Sequence, residues 1–162
     1  MVKDEYPITL AVRELKQKGI NFAPYIYSYE EKGGTRQTAR ELNIDEHAVV
    51  KTLVFEDETG RAFIVLMHGD REVSQKELAR IRGCKRIEPC DTAKAMKATG
   101  YQFGGTSPFG TKTRMEVYAE KSILSLDKIY LNGGKRGFII ALTPSDLEKA
   151  LEITEIEVAI TK

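Results

Sequence analysis

Two short apolar runs constrain this chain most: residues 49–55 (VVKTLVF) and residues 62–67 (AFIVLM), separated by Glu56, Asp57, Glu58, Thr59 and Gly60. Runs of this length, rich in β-branched residues and joined by so brief a polar segment, have the composition of two strands in a hairpin. They predict the core of a sheet.

Helical patterns surround that core. Thr9 precedes Ala11, Val12 and Leu15, with Gly19 as the stop, which reads as an amphipathic first helix. Residues 21–29 alternate and are rich in Phe, Tyr and Ile, so they predict a strand, with Pro24 restricting it to an edge or a bulge. Thr35 opens a helix through Leu42, closed by Asn43, and Asp45, Glu46 and His47 make the turn that follows. Ser74 and Asp91 are N-caps of two further helices ended by Gly83 and Gly100. Strands are expected at residues 115–118, 128–131, 138–142 and 156–160, with a helix over 145–151. Several strands are joined by turns too short for a crossover helix, so the sheet must be mixed, a curved and mostly β core flanked by helices.

With 162 residues, 41% hydrophobic and 30% charged, the chain suits one domain over residues 1–162 with no disordered tract. Twenty-five Lys and Arg against 24 Asp and Glu exclude a polycation that coats nucleic acid by charge alone, so any RNA contact must be a local patch. Residues 1–7 carry Lys3, Asp4 and Glu5 and lack the apolar run of a signal peptide, and no apolar stretch approaches the ~18 residues of a membrane span, which predicts a cytoplasmic protein with no membrane partner. Cys84 and Cys90, six apart, do not have a common metal or redox spacing, and with only His47 and His68 besides, no metal site and no cofactor are expected. His47 reads as a solvent-facing turn residue, and His68, just before Gly69 and Asp70, reads the same way.

Three places carry chemistry. Period two along residues 49–55 puts Lys51 on one face with Val49, Leu53 and Phe55, and Val50, Thr52 and Val54 on the other. An ammonium among apolar neighbours requires an anion from this chain or from a ligand, unless the lysine snorkels to water from an edge strand. In the irregular stretch 101–113, Gly104, Gly105, Thr106, Ser107 and Pro108 form a loop able to aim bare N–H groups at an oxygen, without the lysine of a P-loop. The segment Asn132, Gly133, Gly134, Lys135, Arg136, Gly137 has hairpin-turn composition and suits phosphate equally. Ser107, Ser125 and Ser145 have no His nearby in sequence, which argues against a serine hydrolase, and no clustered His, Asp and Glu set suggests a metallohydrolase.

In this order and spacing, the VVKTLVF strand, the TGYQFGGTSPFG run of residues 99–110 and the NGGKRG turn resemble the YbaK/EbsC family, related to the editing insertion domain of bacterial prolyl-tRNA synthetase. The resemblance spans nearly the whole chain. It implies a mixed, mostly antiparallel sheet curled into a partial barrel with flanking helices, acting without cofactor as a trans-acting aminoacyl-tRNA deacylase. By match, Lys51 is the key catalytic side chain, orienting the substrate's 3′ end. Gly104, Gly105 and Pro108 border the aminoacyl pocket, Tyr29 flanks the substrate, and Gly133, Gly134, Lys135 and Arg136 join the substrate-binding set. One departure concerns specificity: where an acidic residue is expected in the strand after KRG, this chain has Phe138, Ile139, Ile140 and Ala141.

The resemblance names cysteine on tRNA for proline as the foremost substrate, with alanine on the same tRNA as the alternative and the substrate's thiol or a water as nucleophile. Near-zero net charge suggests that tRNA specificity is borrowed from prolyl-tRNA synthetase in a ternary complex. Two other classes stay open: a non-catalytic tRNA- or synthetase-binding module of the same fold, and a thiol-dependent redox protein using Cys84 or Cys90, the first beside Lys85 and Arg86.

Overall fold

Local chemistry fixes most elements of the computed structural model, which describes residues 6–161. The charged start, residues 1–5, and with it most of the stretch read for a leader, lies outside the described residues. Thr9 Oγ1 accepts the Val12 N–H at 3.1 Å and starts helix α1 (Leu10–Gln17), which buries Ala11, Val12 and Leu15. Strand β1 (Ala23–Ile26) contains Pro24 and lies at a sheet edge, as the missing N–H requires. Helix α2 (Gly34–Leu42) ends at Asn43 in the left-handed region, φ 54°. A 3₁₀ turn, Glu46–Ala48, leads into β2 (Val50–Asp57), which forms the hairpin with β3 (Ala62–His68). Asp57 Oδ1 accepts the N–H groups of Thr59 and Arg61 at 2.9 and 3.1 Å and fixes the turn.

Beyond the hairpin come β4 (Arg71–Val73), α3 (Gln75–Arg82), β5 (Ile87–Pro89) and α4 (Thr92–Thr99). Ser74 and Asp91 cap the two helices, and Gly83 and Gly100 close them at φ 74° and 84°. After an irregular stretch, β6 (Val117–Glu120), a 3₁₀ turn (Lys121–Ser125), β7 (Ile129–Lys135), β8 (Phe138–Leu142), α5 (Pro144–Ala150), β9 (Thr154–Ile156) and β10 (Ala159–Thr161) complete the described chain.

The strands pair as a five-stranded sheet ordered β5-β2-β3-β6-β9, a three-stranded sheet β1-β8-β7, and the pair β10-β4. Five pairings are antiparallel and two, β3 with β6 and β6 with β9, are parallel, so the sheet system is mixed and mostly antiparallel. Among the described residues the two larger sheets meet through a single bridge, Val49 to Tyr130, and the strands do not close into a barrel.

Strand β3 is covered on both sides. Ile64 and Leu66 join Val12, Leu15, Leu131, Phe138 and Ile140 in a first core, whereas Phe63, Val65 and Met67 join Phe55, Leu78 and Ile87 in a second. Each fully buried Ile or Leu contributes about 1.5–3 kcal/mol relative to exposure, and the alternation holds the hairpin register, because a one-residue slip would exchange the faces. The expected final strand divides in two. Glu120 Oε1 accepts the N–H groups of Val158 and Ala159 at 2.7 and 3.1 Å, which turns the chain from β9 in one sheet to β10 in another. Among the described residues no helix is long and apolar enough to cross a membrane.

Candidate functional site

The site exists because β2 is only half paired on its outer edge. Strand β5 pairs with it over Phe55–Asp57, and Val49 bridges Tyr130, leaving the edge between them open. Gly69 N–H bonds the Val49 carbonyl on the β3 side, while Cys90 N–H bonds the Val54 carbonyl on the outer side at 2.9 Å. Alternation along the strand therefore aims the Thr52 main-chain groups outward. A cavity of about 370 Å³ runs along this edge, walled by the start of α2, by α4, by the glycine loop and by Asn132. That volume is within the range of small-molecule sites.

Lys51 lines the cavity, and its Nζ donates to the Arg71 carbonyl at 2.5 Å. Asp70 fixes that carbonyl's chain segment by accepting from Arg71 Nη1 and from His47 Nδ1, both at 2.8 Å. Burial is the largest influence on Asp70 and works against its charge, but the His47 and Arg71 interactions together outweigh it and hold its pKa below the usual carboxylate value. Next to Lys51, Thr52 Oγ1 is buried without a hydrogen-bond partner among the described residues. An orphan hydroxyl costs about 1–3 kcal/mol. Thr35 and Gly34, at the start of α2, line the same wall, and the N-cap Gly33 offers no side-chain cap.

The glycine loop is locked from behind. Gly105 N–H donates to the Gln102 carbonyl at 2.9 Å, closing a turn with Gly104 at φ 87°, the glycine corner of a type II turn. Asn132 Nδ2 donates to the Gly104 carbonyl at 3.0 Å and Arg136 Nε to the Phe103 carbonyl at 2.7 Å. Arg136 also lies 5.2 Å over the Tyr29 ring, and Tyr29 packs on Gly104 so closely that a Cβ there would meet its hydroxyl at 2.7 Å.

Of the residues expected from sequence, Lys51 and Gly104 line the cavity. Tyr29, Gly105 and Arg136 support the loop from outside the wall, and Lys135 is exposed beside them. Gly133 and Gly134 leave no room for a side chain: a Cβ would strike the Phe138 ring at the first and Tyr101 at the second. Pro108 is buried on a second depression instead of the cavity wall. The apolar strand after KRG has two roles, with Phe138 and Ile140 in the first core and Ile139 on the cavity wall.

Sequence reasoning missed Thr52 and Asn132. A lone hydroxyl in an apolar strand was the signal for Thr52. Asn132 has the sequence context of an ordinary turn residue, and indeed its Oδ1 accepts the Gly134 and Lys135 N–H groups at 2.7 and 3.1 Å.

The histidines differ from expectation. His68 is 1% exposed at the end of β3, its Nδ1 bonded to the His47 carbonyl and its Nε2 to Ser122 Oγ, both 2.7 Å. Burial chiefly lowers its pKa from 6.5, offset in part by the His47 carbonyl. The His47 ring stacks on it, centroids 3.6 Å and planes 6° apart. His47, His68 and Asp70 thus cluster, contrary to the sequence reading, but parallel stacked rings aim their lone pairs side by side rather than at a common point, and both His68 nitrogens are engaged. The serine that meets a histidine is Ser122, distant in sequence, and its contact with His68 lies off the cavity wall. Cys84 and Cys90 are free thiols. Cys90 lines the cavity, where burial and then Glu56 raise its pKa, opposite to an activated thiolate.

Fold and cavity together define a class: an α/β protein with a ligand-sized cleft at an open strand edge, offering an ammonium and hydrogen-bonding groups to a polar ligand. The chain belongs to the aminoacyl-tRNA editing domain family, which matches residues 30–150. EbsC of Enterococcus faecalis, provisionally named a Cys-tRNA(Pro)/Cys-tRNA(Cys) deacylase, is 28% identical over 137 residues, 84% of each chain. Proline–tRNA ligase of Desulfotalea psychrophila is 33% identical over 97 residues, which make up 60% of this chain and 16% of the ligase. A crystal structure provisionally described as a trans-editing enzyme for prolyl-tRNA synthetase shares the fold, with TM-score 0.81 at 19% identity, over 95% of this chain and 99% of that one.

Proposed function

We propose that this chain is a single trans-acting editing domain that hydrolyses the ester of mischarged tRNA in the cytoplasm, with cysteine on tRNA for proline as the foremost substrate. The observation that carries the reading is Lys51 on the wall of a ligand-sized cavity beside the glycine loop, in a chain of the editing family. Water adds to the ester carbonyl, negative charge develops on its oxygen, and collapse returns a free amino acid and a tRNA hydroxyl. A fixed ammonium and preorganised donors stabilise that charge. Lys51, held by the Arg71 carbonyl, supplies the cation and orients the 3′ end. With cysteine, the substrate's own thiol can attack first, breaking the ester bond to release the tRNA hydroxyl and leaving a cyclic thioester that water then opens to the free amino acid.

Ile139 favours a second substrate, alanine. Ile139 lines the cavity from the strand in which the family resemblance implies an acidic residue, and an apolar wall suits a methyl group. Prolyl-tRNA synthetase is the proposed partner that presents the tRNA, consistent with a net charge of +1.

The test is ester loss from tRNA for proline carrying labelled cysteine, alanine or proline. Wild type is expected to release cysteine or alanine selectively, and Lys51→Ala to lose at least about 100-fold in kcat/KM. Release that survives Lys51→Ala would overturn the assignment of Lys51, and no release above the spontaneous rate would leave a binding module.

A further inference from the structure

Phe103 is 67% exposed, the most exposed Phe, Ile, Leu or Met side chain among the described residues, yet it lines the mouth of the cavity. Its exposure is built in. Phe103 is the second residue of the turn closed by Gly105 N–H on the Gln102 carbonyl, with Gly104 at φ 87°, so the corner projects its side chain away from the protein. The carbonyls of Phe103 and Gly104 are tied by Arg136 and Asn132, which prevents the corner from folding inward.

The surroundings select the occupant. The Arg136 guanidinium, fixed by its bond to the Phe103 carbonyl, lies over Tyr29, and exposed Lys135 is adjacent. An outward aromatic face beside fixed cations is the arrangement that holds single-stranded nucleic acid: each base stacks on the ring while the cations meet the phosphates. A protein of near-zero net charge cannot rely on bulk electrostatics for such contact, which raises the value of one stacking platform.

We propose that Phe103 is the stacking platform for the unpaired base immediately 5′ of the esterified terminal nucleotide, and that Arg136 neutralises the phosphate between the two. The proposal rests on the reading of the cavity as the ester site. Phe103 and Lys51 line the same cavity, so a base on the exposed ring adjoins an ester held beside Lys51.

Two measurements test it. In the first, Phe103→Ala, Phe103→Leu and Phe103→Trp are compared on intact aminoacyl-tRNA and on aminoacyl-adenosine, which lacks the preceding base. Phe103→Ala is expected to raise KM for the tRNA about 10-fold with little change in kcat, a penalty several times larger than on aminoacyl-adenosine. Trp restores binding, and Leu, which keeps apolar bulk without a π face, does not. Equal penalties on both substrates, or full function with Leu, would overturn the proposal.

The second measurement needs no turnover: equilibrium binding of a short ribo-oligonucleotide ending in CCA, with or without an abasic penultimate position. Phe103→Ala should weaken binding of the intact oligonucleotide about 10-fold and bring it level with the abasic one. If wild type cleaves neither ester but shows this pattern, the deacylase reading fails and the platform stands. If Phe103→Ala leaves RNA binding intact and weakens only association with prolyl-tRNA synthetase, the face is a protein contact and the proposal falls.

Discussion

Gly104→Ala tests whether the glycine loop is held by two separable constraints. At φ 87° an L-residue is strained, and a Cβ would also meet the Tyr29 hydroxyl at 2.7 Å and its Cζ at 3.3 Å. The left-handed backbone costs about 1–2 kcal/mol, while the stiffer unfolded chain returns about 0.4–1 kcal/mol. Overpacking against Tyr29 adds about 1–3 kcal/mol. The sum is a loss of roughly 1–5 kcal/mol, read as a fall in the urea midpoint at constant m. Tyr29→Phe removes the nearer atom and leaves the backbone term untouched. In the double variant about 1 kcal/mol should return, measured as the coupling energy of a double-mutant cycle. Deacylation should stay depressed in both Gly104 variants, because the carbonyls anchored by Asn132 and Arg136 shift with the corner. A Gly104→Ala cost below about 0.5 kcal/mol, or zero coupling with Tyr29→Phe, would refute the packing on which the loop assignment rests.

Two further substitutions probe the frame. The Arg82 and Asp57 side chains are 8% and 9% exposed and paired at 2.5 Å, with the Arg82 guanidinium 4.3 Å over Phe63. Arg82→Met removes the cation from a buried carboxylate that keeps only its turn bonds to Thr59 and Arg61, and should cost about 3 kcal/mol in denaturant melts, with much of it restored in Arg82→Met/Asp57→Asn, since breaking such a pair costs more than replacing it; additive losses would contradict this. His68 has a folded pKa below its unfolded 6.5, so the unfolded state binds more protons. Stability is complete above 6.5 and is lost as pH falls from there towards the folded pKa, at up to about 1.4 kcal/mol per pH unit. His68→Gln should flatten that slope between about pH 7 and 5, and an unchanged slope would assign it elsewhere.

Sequence legibility follows the range of the interactions involved. Caps at Thr9, Ser74 and Asp91 and left-handed stops at Asn43, Gly83 and Gly100 act within four residues of themselves, and each is readable. The hairpin is readable because its two runs adjoin. Strands β4 and β5, three residues each, are not, because they are strands only through pairing with β10 and β2. The division of the last strand depends on Glu120, 38 residues before Val158. The site divides the same way. Lys51 is conspicuous as a charge in an apolar strand, but it donates to a main-chain carbonyl, that of Arg71, and no side-chain pattern announces a carbonyl.

The cavity itself is a consequence of pairing, and this explains why a strand residue can serve chemistry. Had β5 run the length of β2, the outer edge would have been filled by main-chain hydrogen bonds and no side chain there would meet a ligand. Strand β5 ends at Pro89 opposite Phe55, one further bond runs from the Cys90 N–H to the Val54 carbonyl, and Asp91 then starts α4, whose Ala95 and Met96 cover the edge from a distance. An exposed strand edge invites aggregation. Here it is shielded by α4 and the glycine loop while remaining accessible to a small group, so the same residues that protect the fold define the entrance to the site.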